Sequence, residues 1–330
     1  MRYFLGADLG GTKTHLVVAD EGGTVLGFGE SGPANHQSVG FEGMFYSLDA
    51  ALNQALSAAG LHKEQLSGAG FGIAGYDWPS QLAQMSETID RLGLRARKGI
   101  FNDTIPGLVA GAEEGWGVVV VSGTGCNCRG WDRVHRREGR VTGYGDMMGE
   151  AAGATELVHR AMQLVSFEWT QRGPATALSR VLLEQLKARN LEDLLEGYTE
   201  GRYTIAADLA PTILAVAQQG DTVAQGLVAW AGQELGEMAN AVIRQLGFES
   251  LAFDVVLSGS LFEGGRLLID PMRETILMVA AEARLVRLTV PPVIGAVLIG
   301  MEQDGLRLDS MVRKTLAETL DAVRQPFDSH

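Results

Sequence analysis

Cysteine is nearly absent from this 330-residue chain: Cys126 and Cys128, flanking Asn127, are the whole supply. Two thiols with no CxxC pair, and six histidines with no HxxxH spacing, leave nothing from which to build a usual four-ligand zinc site. In an extended segment the two cysteines share one face, with Cα atoms roughly 6.6 Å apart and side chains near parallel. That is poor geometry for a disulfide, so reduced thiols in a cytosol are expected. Also missing is any apolar run of the roughly 18–20 residues that a membrane helix needs. The start, Met1-Arg2-Tyr3-Phe4-Leu5-Gly6-Ala7-Asp8, enters a strand and brings an acid where a secretory leader would still be apolar. The expected location is therefore cytoplasmic, and the sequon Asn102-Asp103-Thr104 carries no glycan reading. Positive charge is scarce as well. Lys+Arg 27 against Asp+Glu 40 gives a net charge of −13, which argues against a broad nucleic-acid surface. A small anionic ligand stays open, because backbone amides and a metal can hold one locally. What remains is a globular composition, 46% hydrophobic and 20% charged, in a chain long enough for two lobes.

Organisation follows from periodicity. Tyr3–Leu9, His15–Ala19 and Thr24–Gly29 are apolar runs separated by Gly10-Gly11-Thr12-Lys13 and by Glu21-Gly22-Gly23, which predicts an antiparallel three-strand meander. From Phe41 the period becomes helical: Phe41, Met44, Phe45, Leu48, Leu52 and Leu56 share a face, and Gly60 ends it. A strand at Ala69–Ala74, a helix after Pro79 and a short strand near Ile100-Phe101 complete an α/β lobe. A second lobe opens with a buried strand over Trp116–Ser122, which again runs into a glycine turn, Gly123-Thr124-Gly125, and so hints at a duplicated architecture. Residues 148–247 read as mostly helical, with a stripe from Val223 to Leu246 assigned to core. Phe253–Leu257 is a strand ending in Ser258-Gly259-Ser260, and residues 308–323 form a closing helix. The expected boundary falls between residues 113 and 114, with the closing helix packing back on the N-terminal lobe.

Three glycine turns at strand ends carry the candidate chemistry. Asp8-Leu9-Gly10-Gly11-Thr12-Lys13-Thr14 puts an acid before exposed amides; glycines admit a phosphate closely, and Thr12 and Lys13 can donate. Its spacing is not that of a GxxxxGK phosphate loop, and alone it reads equally as a hairpin turn with a surface lysine. Gly123-Thr124-Gly125 repeats the device, and Ser258-Gly259-Ser260 offers a third close approach. Gly70-Phe71-Gly72-Ile73-Ala74-Gly75 satisfies GxGxxG, but it follows a meander instead of the first strand and no helix opens on it, which argues against a dinucleotide site. Asp103, where a short strand meets a helix, is either an N-cap or a carboxylate positioned as a general base.

Together these motifs resemble the sugar kinase, actin and heat-shock chaperone superfamily, and within it the N-acetylglucosamine kinase and BadF-type ATPase family. Gly6-Ala7-Asp8-Leu9-Gly10-Gly11-Thr12-Lys13-Thr14 is similar to the family's first phosphate loop, and Asn35-His36 to its sugar loop. Ser122-Gly123-Thr124-Gly125-Cys126-Asn127-Cys128-Arg129 is similar to its second phosphate loop, the most specific segment. Asn102-Asp103-Thr104 falls where the family has its catalytic aspartate, Gly143-Tyr144-Gly145-Asp146-Met147-Met148-Gly149 resembles its substrate turn, and Ser258-Gly259-Ser260 takes the place of its adenosine motif. The resemblance implies an α/β fold of two RNase-H-like lobes with mixed sheets, flanked by helices and closing on MgATP and an amino sugar in an interlobe cleft.

By the same resemblance, Asp103 is the base toward the sugar 6-hydroxyl. Gly10, Gly11, Thr12, Lys13, Thr124, Gly125, Gly259 and Ser260 hold ATP, and Asp8 holds Mg²⁺ largely through water. Asn35, Gly75, Asn127, Gly143, Tyr144, Gly145 and Glu150 contact the sugar. The expected activity is an ATP-dependent sugar kinase, working as a homodimer on a small-molecule sugar without nucleic-acid or membrane partners. The alternatives are a sugar sensor without turnover and an activator ATPase of the same fold. Departures bear on the sugar. Gln37 stands where the family's amino-sugar kinases tend to have tryptophan, Ala74 where they have serine, and Gly149-Glu150-Ala151-Ala152-Gly153 where they have Gly-Asp-Glu-Gly-Ser. A site built to bond a hydroxyl can discriminate by ~10⁴, so such exchanges can change the preferred substrate.

Overall fold

The structure, a computed structural model, describes residues 1–306 and 309–324. The apolar runs of the first thirty residues form β1 (Tyr3–Leu9), β2 (Thr14–Asp20) and β3 (Val25–Ser31), paired antiparallel in sequence order with Asp8 opposite His15. Helix α1 (His36–Ala59) buries Met44, Leu48, Leu52 and Leu56, and Gly60 ends it in the left-handed conformation, its N–H donating to the Leu56 and Ser57 carbonyls. The helix begins at His36, ahead of the periodic stripe. Gly40, at φ +68° and ψ 172°, interrupts it and leaves residues 36–39 as a separate first turn capped by Asn35.

Next come β4 (Leu66–Ile73), α2 (Leu82–Asp90), β5 (Arg97–Asn102) and α3 (Thr104–Gly111). β4 pairs parallel with β1, and β5 parallel with β4, giving a mixed sheet of order β3-β2-β1-β4-β5. The chain continues through β6 (Gly117–Ser122), β7 (Cys126–Asp132) and β8 (Arg137–Arg140) into α4 (Ala154–Trp169), α5 (Ala177–Leu186), α6 (Leu191–Thr199), α7 (Ala210–Gln218) and α8 (Thr222–Leu246). It ends with β9 (Phe253–Ser258), α9 (Arg266–Leu277), β10 (Ala283–Arg287), α10 (Pro292–Gln303) and α11 (Ser310–Arg324). Leu308, the expected start of that last helix, lies outside the described residues.

The second sheet has the order β10-β9-β6-β7-β8. In both sheets the first strand is central, with the second and third on one side and the fourth and fifth on the other. The duplication hinted at by two strand-to-glycine-turn units is therefore present at the level of topology. Of the expected α8 stripe, Leu227, Leu235, Met238, Val242 and Leu246 are buried in the core, while Val223 is half-buried.

The chain divides into two compact units. The first comprises residues 1–119, 130–137 and the described residues from 286 onward; the second comprises 120–129 and 138–285. A single cut between residues 113 and 114 does not reproduce this division, because α10 belongs to the first unit. That helix is buried from Val293 through Met301 and lies directly on the first sheet. A Cβ at Gly70 would stand 2.1 Å from the Ala296 carbonyl oxygen, so only a bare backbone lets the helix settle there. α11 lies against β3, where the Val25 amide donates to Thr319 Oγ1 at 3.0 Å, with Leu316 and Leu320 buried. No helix among the described residues is long and apolar enough to cross a membrane.

Candidate functional site

In the first unit the chemistry collects where β1, β4 and β5 end. Asp8 is the penultimate residue of β1 and is in register with Gly72 of β4. A Cβ at Gly72 would meet Pro106 Cγ at 2.5 Å and Asp103 Cα at 3.3 Å. The missing side chain thus lets the start of α3 descend over the strand ends and brings Asp103 into electrostatic range of Asp8. Burial first, and the Asp103 carboxylate second, push Asp8 up to about 7.

Asp103 itself is anchored by its amide, which donates to the Ile73 carbonyl at 3.3 Å. Its side chain makes no capping hydrogen bond to α3. The cap comes from its neighbour: Asn102 Oδ1 accepts from the Thr104 amide at 3.0 Å. Of the two roles open to Asp103 from sequence, the helix cap is therefore taken by Asn102.

The first glycine turn is closed by the Gly10 amide donating to the Lys13 carbonyl at 3.0 Å, and Gly11, Thr12 and Lys13 are exposed. Asn35 caps α1, its Oδ1 accepting from the Gln37 amide at 2.9 Å. Gly75 adopts φ +80°, and a Cβ there would lie 2.4 Å from Asn35 Oδ1, so these two expected sugar contacts adjoin. Gln37 Nε2 donates to the Gly75 carbonyl at 3.4 Å and to Asp77 Oδ2 at 3.2 Å. Where a stacking ring would stand by the resemblance, this chain has an amide that ties the start of α1 to the turn after β4. Three glycines of the GxGxxG pattern thus have packing reasons of their own: helix α10 at Gly70, Asp103 at Gly72 and Asn35 at Gly75.

In the second unit the turn after β6 faces its carbonyls into α4. Gly123 O accepts from the Ala154 amide at 2.8 Å and Thr124 O from the Thr155 amide at 3.0 Å, leaving Thr124 and Gly125 exposed. Gly259, at φ +110°, presses against the same strand end: a Cβ would sit 2.1 Å from the Ser122 carbonyl oxygen. The second and third turns are thereby joined, and Gly123, Thr124 and Ser260 line one cavity of about 350 Å³. Its wall also includes Ala207 and Asp208, in the turn just before α7, and Pro211 and Leu214 within that helix. Sequence reasoning passed over these residues. Pro211 stands in the first turn of α7, where proline is favoured, but nothing local links that start to a turn more than eighty residues earlier.

Asn127, on β7, lies beside Gly143, whose Cβ would stand 3.2 Å from Asn127 Nδ2. Among the described residues Asn127 Oδ1 is buried without a hydrogen-bond partner, a polar atom in want of a donor. Glu150 is buried and holds its own loop: Oε1 accepts from the Thr142 amide at 2.6 Å and Oε2 from the Tyr144 amide at 3.1 Å. Gly143 and Gly145 take positive φ in this loop, and the Tyr144 ring is exposed. Cys126 and Cys128 are both buried and unbridged, on one face of β7 as an i, i+2 pair must be. Burial pushes the Cys126 thiol up to about 11 and the Cys128 thiol higher still, so neither is poised as a thiolate.

Among the described residues no three His, Cys, Asp or Glu side chains group into a protein-only metal cage. A magnesium ion asks for less: one or two carboxylates, with water and phosphate oxygens completing the octahedron. Asp8 fits that demand, since a carboxylate held up by burial and by a second acid beside it is in the environment a divalent cation relieves.

Two sheets of one order, each with a glycine turn at the end of its central strand, define a duplicated α/β fold of the sugar kinase and actin type. The same fold is seen in the solved structure of a Chromobacterium violaceum protein, at a TM-score of 0.64 and 24% identity over 91% of this chain and 99% of that one. Residues 5–300 match the BadF/BadG/BcrA/BcrD ATPase family, and the chain belongs to it. The N-acetyl-D-glucosamine kinase of Dictyostelium discoideum is 28% identical over 312 residues, covering 90% of this chain and 97% of that protein. The N-acetylmuramic acid/N-acetylglucosamine kinase of Clostridium acetobutylicum is 25% identical over 305 residues, covering 92% and 99%.

Proposed function

We propose that the protein is an ATP-dependent sugar kinase that phosphorylates the 6-hydroxyl of N-acetylglucosamine or a related amino sugar or hexose, with Asp103 as general base. The observation that carries this reading is the carboxylate of Asp103. It stands at a helix start, it does not cap the helix, and it lies beside Asp8, the half-buried acid that precedes the first glycine turn. Family membership and the kinase relatives support the use of ATP.

In this reading the first unit supplies the base, the Gly10–Lys13 turn and the Asn35–Gly75 pair that orients the sugar. The second supplies the turn-lined cavity for the nucleotide and Asn127, whose Oδ1 accepts a hydrogen bond from a sugar hydroxyl or amide N–H. Asp103 accepts the proton of the attacking hydroxyl as its oxygen bonds to the γ-phosphorus and the bond to the β-phosphate oxygen breaks. Mg²⁺, when bound near Asp8, supplies charge neutralisation on the phosphates. The rest of the catalysis is positioning by backbone amides, Thr12 and Thr124, which is most of what phosphoryl transfer asks of a protein.

A coupled ADP-release assay with N-acetylglucosamine, glucosamine and glucose tests the reading, and the Gln37 amide and Glu150 loop make the order of preference itself informative. Asp103→Asn is expected to lower kcat by about 10²–10⁴-fold, the usual contribution of a general base. A variant keeping more than a tenth of wild-type kcat would remove Asp103 from that role. Silence of the wild type on every sugar, with saturable sugar binding by calorimetry, would favour the sensor instead.

A further inference from the structure

We propose that Asn102 is a positioning residue for Asp103: it takes the helix cap and so keeps the neighbouring carboxylate from being drawn into that task. The inference rests on the reading of Asp103 as base. Asn102 closes β5 and is 1% exposed, so each polar atom of its amide needs a protein partner, and each has one. Oδ1 accepts from the Thr104 amide at 3.0 Å and from Thr104 Oγ1 at 2.8 Å. Nδ2 donates to the Tyr76 carbonyl at 3.1 Å and reaches Asp77 Oδ1 at 3.5 Å. The first bond is that of an N-cap to the amide two residues on. The last two tie the cap to the turn that follows Gly75. One side chain therefore locks strand end, helix start and sugar-side turn behind the base.

Aspartate and asparagine cap helices about equally well. With the Asn102 amide removed, Asp103 carries the nearest acceptor for the first amides of α3, and Pro106 narrows the choice because it has no N–H. A carboxylate engaged by Thr104 or Ile105 is turned from the hydroxyl it should deprotonate. A misplacement of about 1 Å can cost 10²-fold in rate.

The test compares wild type with Asn102→Ala and Asn102→Ser in the full chain. Asn102→Ala is expected to lose about 10–100-fold in kcat with KM for ATP changed less than twofold. Asn102→Ser restores a neutral cap acceptor and is expected to recover at least half of that loss on a logarithmic scale. Crystal structures should show the Asp103 carboxylate accepting from an α3 amide in Asn102→Ala and not in the wild type. A kcat within twofold of wild type accompanied only by a lower Tm, or an Asp103 rotamer unchanged in Asn102→Ala, would overturn the proposal. Because the rotamer is read without turnover, a wild type silent on every sugar would defeat the kinase reading and leave this comparison decisive. Should Asn102→Ala fail to fold, the Asn102→Ser rotamer and its kcat-against-KM split decide: a full loss of kcat or a carboxylate turned to the helix sinks the idea that a cap acceptor is what Asp103 requires of its neighbour.

Discussion

Asp8 shows how a single side chain reports its surroundings through protons. Its carboxyl is held up at about 7, against an ordinary 3.8, because the folded chain buries it and sets Asp103 beside it. The folded state therefore binds the Asp8 proton more tightly than the unfolded chain does. Between about pH 4 and pH 7 the folded state holds more protons, so stability falls as pH rises through that window and levels off above it. Asp8→Asn removes the titration. Its Tm, followed by calorimetry from pH 4.5 to 8, is expected to fall less than that of the wild type, and a parallel fall in both would show that Asp8 is not the group concerned. At this same scale the departures from the resembled family take on physical content. Gln37 replaces an aromatic face with two amide donors, both directed to the Gly75–Asp77 turn. Glu150 spends both carboxylate oxygens on the amides of its own loop, so its extra methylene is matched by local bonding.

Elements decide which of these side chains can meet. The β9 turn is the clearest instance, because its approach to β6 depends on one bare backbone. Gly259 combines φ +110°, which L residues rarely adopt, with 2.1 Å from a would-be Cβ to the Ser122 carbonyl oxygen. Gly259→Ala must move a backbone, not a flexible side chain, at a cost of order 1–3 kcal/mol for the conformation alone. Both turns that line the cavity would shift. ADP affinity measured by calorimetry is expected to drop at least tenfold, and an unchanged Kd would separate this cavity from the nucleotide. The meander, the α1 stripe and the Trp116–Ser122 strand were legible because each is written in a short window: period 2, period 3.6, or an unbroken apolar run between glycines. β7, β8, α9, β10 and α10 were not. Arg137–Arg140 has no apolar alternation, and an all-apolar helix such as α10 cannot be told from a strand by periodicity.

For the whole molecule, folding and ligand binding are linked. A ligand held by the folded chain alone stabilises it by RT ln(1 + [L]/Kd), about 2.7 kcal/mol at a hundredfold excess over Kd. Mg·ADP at that excess is expected to raise the wild-type Tm, and to raise that of Gly259→Ala much less at the same concentration; equal shifts would place the nucleotide elsewhere. The amino-acid order by itself determined the opening meander and several of the helices and strands that follow it, the three glycine turns, the acid before the first of them and the location of Asp103 at a strand–helix junction. All of these rest on neighbours a few residues apart, where propensity and spacing act without help from the rest of the chain. Only the tertiary structure decided that Asn102 and not Asp103 caps α3, that residues 292–303 lie on a sheet begun at residue 3, and that the start of α7 walls a cavity with Thr124 and Ser260. Those outcomes depend on which groups are buried against which: the turn at Tyr76-Asp77 fixes the Asn102 side chain that bonds Thr104, and packing between segments far apart in the chain sets the other two, so no local window shows them.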